Sequence, residues 1–407
     1  MGEKRWWLCL AAVLAWLCFD CQPSLGSGFV LNEAGARSSS LAGTVVARGG
    51  DLSAFYYNPA TLTGMPGLQV MAGGTFIIPS VEIVTHTGAV AATNSIKDNL
   101  FFPPHFYLSY QALDRVWVGL GFYSPFGLGT EFNQGWPGRF NNIATFITTF
   151  DINPTVAVKI TDWLSGGIGL DIMYFSLKMQ RVLPIPIIGN QETTLRGDSF
   201  GVGFNVGFQA KPLDCLALGV SYRSQVRQDV GGSAIFSPAN SLNSTASGTI
   251  LLPDEIFTGV MYQPIKPLSL EVGLVWTNWS LFKKLDIKFD NALGTLSEPK
   301  TWHNTLRPQM GVEYKALSWL DLRFGYAYDQ EPVPDKYADY IVPVVGDRHT
   351  FGFGAGFRWQ AFTFDLSYNY IFLPDKTVHG SRSVGVLPSD YQERDVHLVG
   401  LSLSYKF

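Results

Sequence analysis

The sequence predicts an all-β protein, a fourteen-stranded antiparallel barrel that spans a membrane. Three observations lead there. The last strand alternates to the final residue, with Val399, Leu401, Leu403, Tyr405 and Phe407 on one face and Gly400, Ser402, Ser404 and Lys406 on the other. That period of two demands unlike surroundings on the two sides of a sheet. Short and long connections between alternating runs follow one another without exception, the layout of a barrel with short turns at one rim and long loops at the other. Finally, the chain is 46% hydrophobic and only 15% charged, against about 25% charge in ordinary soluble domains.

At the amino terminus, Lys4 and Arg5 precede an apolar run over residues 6–19, and Ser24 and Gly26 offer small residues for cleavage before Ser27. Residues 1–26 read as an export signal. The alternative is a membrane anchor, but the run is shorter than the about 20 residues of a spanning helix. Cys9, Cys18 and Cys21 fall in the segment to be removed, which leaves Cys215 alone and excludes an internal disulfide. A net charge of −4 and pI of 5.9 argue against a nucleic-acid partner.

Residues 28–67 are rich in Gly, Ser and Ala and hold Asn32, Glu33, Arg37, Arg48 and Asp51 without sustained alternation. Composition leaves open a tail, a periplasmic appendage or a plug, and favours a linker. Strands are expected to begin near Leu68, Phe101, Val116, Thr145, Leu164, Gly197, Leu216, Thr249, Leu268, Thr301, Leu320, Arg348, Phe362 and Asp395. An even count returns the carboxyl end to the periplasmic rim. Closure removes the sheet edges that lipid cannot hydrogen-bond. Short turns fall at residues 111–115, 160–163, 211–214, 264–267, 315–319 and 359–361. Long loops fall at residues 80–100, 124–142, 183–195, 230–246, 283–300, 330–346 and 373–393. The run Phe351-Gly352-Phe353-Gly354-Ala355-Gly356-Phe357 places rings toward lipid and glycines toward a crowded interior.

Several short blocks resemble the FadL family of outer-membrane transporters for long-chain fatty acids and related hydrocarbons. They are Gly28-Phe29-Val30-Leu31-Asn32-Glu33, Asn58-Pro59-Ala60, Ser124-Pro125-Phe126-Gly127-Leu128-Gly129-Thr130 with Trp136 and Gly138-Arg139-Phe140, Leu252-Pro253-Asp254-Glu255, Trp276-Thr277-Asn278-Trp279-Ser280, Pro332-Val333-Pro334-Asp335, Pro343 and Asp347-Arg348. Their order covers nearly the whole mature chain. The terminal Phe407 likewise resembles the signal that bacterial barrel-assembly machinery recognises. The resemblance implies an outer-membrane location with outer-membrane lipid around single barrels. It implies a hatch over residues 27–67 inside a barrel over residues 68–407, with Asn32, Glu33, Asn58, Pro59 and Ala60 as hatch residues. It further implies uptake of a hydrophobic small molecule, whether fatty acid, alkane or monoaromatic, through an external groove, an interior pocket and a lateral opening at a kinked third strand.

Phe126, Leu128, Phe132, Trp136 and Phe140 make the loop over residues 124–142 unusually apolar, and it is the candidate groove, with Arg139 placed to meet a carboxylate. The alternative is packing of loop on loop or an interfacial aromatic belt. Phe29 and Leu31 are expected near the pocket. Gly119 and Gly121 in the third strand are the candidate kink, against a reading as plain interior glycines. Arg348, Glu313 and Lys315 are expected in the interior, paired with hatch charges. Each methylene of an acyl cargo gains about 0.8 kcal/mol on leaving water, so a greasy path suits it.

Nothing points to an enzyme, a cofactor or a metal: the six histidines are scattered singly, and no Gly-x-Ser-x-Gly elbow or paired-cysteine motif occurs. The competing reading is a general diffusion porin or a structural or adhesive barrel.

Overall fold

The computed structural model describes residues 28–342 and 346–407. The expected export signal lies outside the described residues. No helix among them is long and apolar enough to cross a membrane. The crossing is made by strands.

Two short helices, α1 (Ala36–Ser40) and α2 (Ala54–Tyr57), and a 3-10 turn (Pro59–Gly64) precede the sheet. The strands follow as β1 (Leu68–Thr87), β2 (Val90–Ser95), β3 (Pro104–Leu113), β4 (Val116–Tyr123), β5 (Gly127–Glu131), β6 (Ala144–Lys159) and β7 (Leu164–Ile185). Next come β8 (Gly189–Leu213), β9 (Leu216–Arg223), β10 (Val226–Ser237), β11 (Ser244–Leu252), β12 (Glu255–Ile265), β13 (Leu268–Thr277) and β14 (Lys284–Phe289). The chain closes with β15 (Thr295–Pro299), β16 (Thr305–Leu317), β17 (Leu320–Asp329), β18 (Arg348–Trp359), β19 (Phe362–Leu373), β20 (Lys376–Val378) and β21 (Ser389–Lys406).

Fourteen of these form the wall in the order β1, β3, β4, β6, β7, β8, β9, β12, β13, β16, β17, β18, β19 and β21. The ring shuts where β21 pairs with β1, from Gln69 opposite Lys406 to Thr85 opposite Ser389. Of the others, β5, β10, β11, β14 and β15 continue wall strands across a break, and β2 and β20 fold back on their neighbours. Sequence alternation sets the two faces: on β8, Phe200, Val202, Phe204 and Phe208 are exposed to the outside, while Gly201, Gly203, Asn205 and Gln209 are buried.

The strands run further outward than the loops suggested. Residues 183–195, expected as a loop, form the top of a continuous ladder in which β7 and β8 pair up to Ile185 opposite Gly189. Ile185, Thr193 and Thr194 in that stretch are β-branched and favour extended backbone even beyond the membrane. Within residues 230–246, residues 230–234 and 244–246 likewise pair, β10 with β11, and residues 231–237 pair with β8. β21 begins at Ser389 rather than near Asp395, and β3 at Pro104 rather than Phe101, which makes only an isolated bridge to Ile77.

Residues 34–62, save exposed Gly50 and half-buried Asp51, lie buried inside the ring. Their closeness to the wall explains its glycines. A Cβ on Gly325 would sit 2.2 Å from the Leu41 backbone, and one on Gly219 would sit 2.3 Å from the Val46 carbonyl. Charge fixes the register: Arg37 grips Glu313 in a two-point bond, Nε at 2.8 Å and Nη2 at 2.9 Å, and Arg48 reaches Glu271 at 3.3 Å. Such bidentate pairs specify orientation as well as energy. Asn58 caps the 3-10 turn through the Ala60 N–H and donates to the Val46 and Phe208 carbonyls, tying hatch to β8.

Candidate functional site

The third wall strand is broken, and the break begins the site. β4 pairs regularly with β3 and with β6 as far as Tyr123 opposite Asp151. Ser124, Pro125 and Phe126 then leave the ladder. Proline has no N–H to give a central strand, so pairing there is lost at little further cost. β5 rejoins β6 at Gly127 opposite Thr148 but, among the described residues, has no strand on its other side.

The amino-terminal segment fills that side from within. Val30 bridges Phe126, the Leu31 N–H donates to Pro125 O at 2.9 Å, and the Gly127 N–H donates to Phe29 O at 3.0 Å. From the outside the gap is stopped by a ring: a Cβ on Gly129 would lie 1.9 Å from Phe101 Cζ, so only glycine admits that side chain.

Between the segment and the gap lies a cavity of about 300 Å³, lined by Phe29, Leu31, Phe126 and Leu128 from within and by Phe101, Phe102, Phe146 and Phe150 from the wall. Its volume is at the low end of the about 300–1,000 Å³ of small-molecule sites. Polar groups meet at its inner end, where Asn32, Glu33, Arg307, Asp329 and Arg348 join the lining. Arg348 donates to Gly28 O and Arg307 stands 3.6 Å from Asp329. Burial pushes the Glu33 carboxyl up, with Arg307 and Arg348 opposing.

Phe29 sits in a cage of edge-on rings, its centroid 4.9 Å from Trp279, 6.0 Å from Trp302 and Phe126, and 6.5 Å from Phe282. Offset and edge contacts are the favoured aromatic geometry. Gly28 makes the turn before it at φ +60°, where any Cβ would meet Trp279 at 2.5 Å. On its far side Phe29 also bounds a smaller chamber of about 30 Å³ with Leu128, Ile250, Leu285 and Ile341.

That chamber has an ion-paired roof. Arg181 bonds Glu298, Lys300 reaches Asp339 at 2.6 Å and Glu298 at 3.3 Å, and Asp339 accepts the N–H groups of Ile341 and Val342 at 3.0 Å. Burial alone would raise the Glu298 carboxyl, but the Arg181 and Lys300 charges outweigh it and hold it at about 2.

The residues expected from the sequence divide between these places. Phe29, Leu31, Phe126 and Leu128 line the cavity together. Phe132 and Trp136 do not face the medium: they stack at 4.0 Å, Trp136 meets Tyr340 edge-on at 4.7 Å, and its indole N–H donates to Asn142 O at 2.7 Å. Both are buried in packing of loop on loop. Arg139 covers the Phe140 ring at 4.7 Å and donates to Trp136 O at 3.1 Å, a loop brace away from the cavity. Gly119 and Gly121 lie in unbroken ladder and face the hatch, where Cβ atoms would meet Leu62 at 2.8 Å and Phe55 at 3.0 Å. The break falls at residues 124–126 because that is where proline interrupts pairing. Asn32 and Glu33 line the cavity, while Asn58, Pro59 and Ala60 lie against the wall below. Glu313 pairs with the hatch. Lys315, on the same strand face, is exposed at the rim beside a short turn instead.

Sequence reasoning missed Trp279, Trp302 and Phe282 as the cage and Phe101 as the stopper. Trp279 stood in a block already singled out; Phe101 was only the first residue of an expected strand.

A closed fourteen-stranded antiparallel barrel with its lumen occupied by its own amino-terminal segment and an apolar cavity at a wall break defines an occluded outer-membrane barrel. Residues 18–407 match the family described as outer membrane protein transport protein, OMPP1/FadL/TodX, and the chain belongs to it. It is 24% identical to the long-chain fatty acid transport protein of Escherichia coli K12, over 94% of each chain. The fold is shared with a FadL homologue of Pseudomonas aeruginosa at TM-score 0.82 and 21% identity, covering 94% of this chain and all of that one. It is also shared with the toluene transporter TbuX of Ralstonia pickettii at TM-score 0.74 and 18% identity, covering 92% and 98%. The protein is an outer-membrane transport protein.

Proposed function

We propose that the chain takes hydrophobic small molecules, long-chain fatty acids or related hydrocarbons, into the cavity beside Phe29 and releases them sideways through the break at residues 124–126. The observation that carries this reading is the cavity itself. It touches both the lumen, through Arg307 and Arg348, and rings on the outside of the wall, Phe102 and Phe146. The hatch occupies the lumen, which suits cargo handed between greasy surfaces better than solutes diffusing in water.

In this mechanism the strand-like pairing of residues 29–31 holds the cavity shut toward the lumen, and the Phe101 ring shuts it toward lipid. An acyl or aryl cargo gains about 0.8 kcal/mol per buried methylene on reaching it from water. Onward passage into the bilayer keeps the cargo in apolar surroundings, so the step needs only that Phe101 swing away from Gly129.

Purified protein in proteoliposomes is expected to take up labelled palmitate or toluene while excluding sucrose. Phe126→Asp puts a charge in the cavity wall and should reduce that uptake at least tenfold, with folding checked by heat-modifiable migration. Free passage of sucrose with no binding of alkyl or aryl ligands would sink the proposal in favour of a diffusion porin, and unchanged uptake by Phe126→Asp would remove the cavity from the route.

A further inference from the structure

The wall has a second break, on the opposite side of the Phe29 cage from the first. β12 and β13 pair up to Glu255 opposite Thr277, and the Asn278 N–H still donates to Asp254 O at 3.0 Å. The ladder then stops and resumes only where Ser247 and Ala246 of β11 meet Lys288 and Phe289 of β14. In between, the chain of the ninth wall strand turns inward: Trp279 is fully buried and Phe282 presses its ring against Trp302 at 4.9 Å. On the facing side Pro253 interrupts the strand, and residues 248–252 pair with β10 alone. Tyr222 and Trp276 flank exposed Ile256 as its direct cross-strand partners on the outward face, rings of the kind that mark a membrane–water boundary. The break therefore opens at the depth of lipid headgroups.

It is occupied by a recess of about 660 Å³ on the outer side of the wall, with Val230, Leu251, Leu281 and Phe282 as an apolar floor and Lys283, Lys284 and Lys288 at its rim. Two carboxylates also line it, and both are already engaged. Asp229 takes Arg227 Nε at 2.9 Å and Thr249 Oγ1 at 2.7 Å, while Asp286 takes Lys284 Nζ at 2.6 Å. Among the described residues, no carboxylate stands within ion-pair distance of Lys283 or Lys288. Behind the recess a slit of about 40 Å³ passes Leu177, Ile250 and Leu285, and the same three side chains line the chamber that ends on Phe29. Phe282 borders both recess and chamber.

We propose that this recess is a membrane-side inlet for a single-chain anionic amphiphile of the fatty-acid type, taken from the outer leaflet with its headgroup on Lys283 and Lys288. The chain lies over Leu251 and Leu281 and its tail reaches the Phe29 cage past Phe282. The proposal rests on the transport reading and adds to it a source of cargo other than the medium. A tail moving from leaflet to recess exchanges one apolar setting for another, so the two uncommitted ammonium groups supply the preference for an anion. The slit behind the recess, about 40 Å³, has no room for several chains side by side, which favours a single-chain amphiphile over a multi-acyl phosphorylated lipid.

The test uses the full-length mature protein in vesicles, loaded through the bilayer with palmitic acid carrying a diazirine near its methyl end, irradiated and mapped by peptide mass spectrometry. Label is expected in residues 248–252 and 281–284 and, further in, residues 29–31. The Lys283→Gln/Lys288→Gln double variant should lower label at all three at least fivefold, and Lys283→Arg/Lys288→Arg should restore it; heat-modifiable migration verifies assembly. Full labelling of residues 29–31 with none in the recess would overturn the inlet and leave the transport reading standing. Label at neither place would overturn both. Loss of recess label to excess multi-acyl phosphorylated glycolipid, with residues 29–31 still labelled, would assign the recess to a membrane lipid and overturn the inlet.

Discussion

Two parts of the amino-terminal segment are held in opposite ways. Residues 34–62 are tied to the wall by buried charge and by backbone laid directly on wall glycines, as Arg37 on Glu313 and Leu41 on Gly325. Residues 29–31 are held by a single bridge of two hydrogen bonds to the broken third strand and by rings around Phe29. Charge pairs buried in a lumen are costly to break because each partner is left uncompensated, whereas ring contacts slide and re-form. Under the proposed mechanism the difference makes the hatch body the part that stays and the segment before it the latch on the cavity.

The sharpest way to break that contrast is Glu313→Gln. The carboxylate also accepts from Arg323 Nε at 2.7 Å, so its loss takes a counter-charge from two buried guanidinium groups at once, leaving Arg37 with Asp51 at 3.7 Å and Arg323 with Asp365 at 2.6 Å. Removing one partner of a buried pair costs about 3–5 kcal/mol, the largest effect expected here, read as a lowered urea midpoint in vesicles and faster amide exchange over α1. A midpoint unchanged from wild type would mean that packing rather than charge holds the hatch body.

Phe29→Ala probes the other half. Its cost should not exceed about 3 kcal/mol, the low end for truncating a buried phenylalanine, because a cavity already adjoins the ring. Exchange should quicken at residues 29–31 and stay as slow as in wild type over α1 and α2. If α1 and α2 loosened together with residues 29–31, the two parts would move as one and the latch would have to be abandoned.

How far the sequence reveals these features follows from the range of the interactions that make them. The wall is written locally: alternation along β8 or β21 depends on residues two apart, and short turns mark one rim. The breaks are legible only in part. Pro125 and Pro253 announce lost pairing, but Gly119 and Gly121 have the look of better hinges in a sequence that does not show the hatch side chains lying against them, Leu62 and Phe55. Trp136 and Phe132 read as greasy and external, and they are greasy, yet the loop containing Tyr340 buries them. The cage around Phe29 joins residues about 250 positions apart along the chain, beyond any periodicity.

The smallest expected effect concerns the roof above the latch, where charge again does the holding. Glu298 sits between Arg181 and Lys300, with Asp339 completing the cluster. Its carboxyl falls from an ordinary 4.5 to about 2, so the folded roof prefers the ionised form. That contribution is present above pH 4.5 and is lost as the pH falls from 4.5 toward 2, where the unfolded roof takes up the proton first. Lowering a carboxyl pKa by one corresponds to about 1.4 kcal/mol in favour of the ionised form, so the roof-opening constant should rise by one to two powers of ten across that window. Amide exchange at residues 339–342, corrected for intrinsic pH dependence, reads it directly. Glu298→Gln should flatten the dependence while raising opening at neutral pH, because Arg181 and Lys300 then lose a shared counter-charge. A wild-type profile already flat between pH 5 and pH 2 would show that packing of Tyr340 and Trp136 closes the roof without help from the ion pairs, and would extend to the roof the ring-held character of residues 29–31.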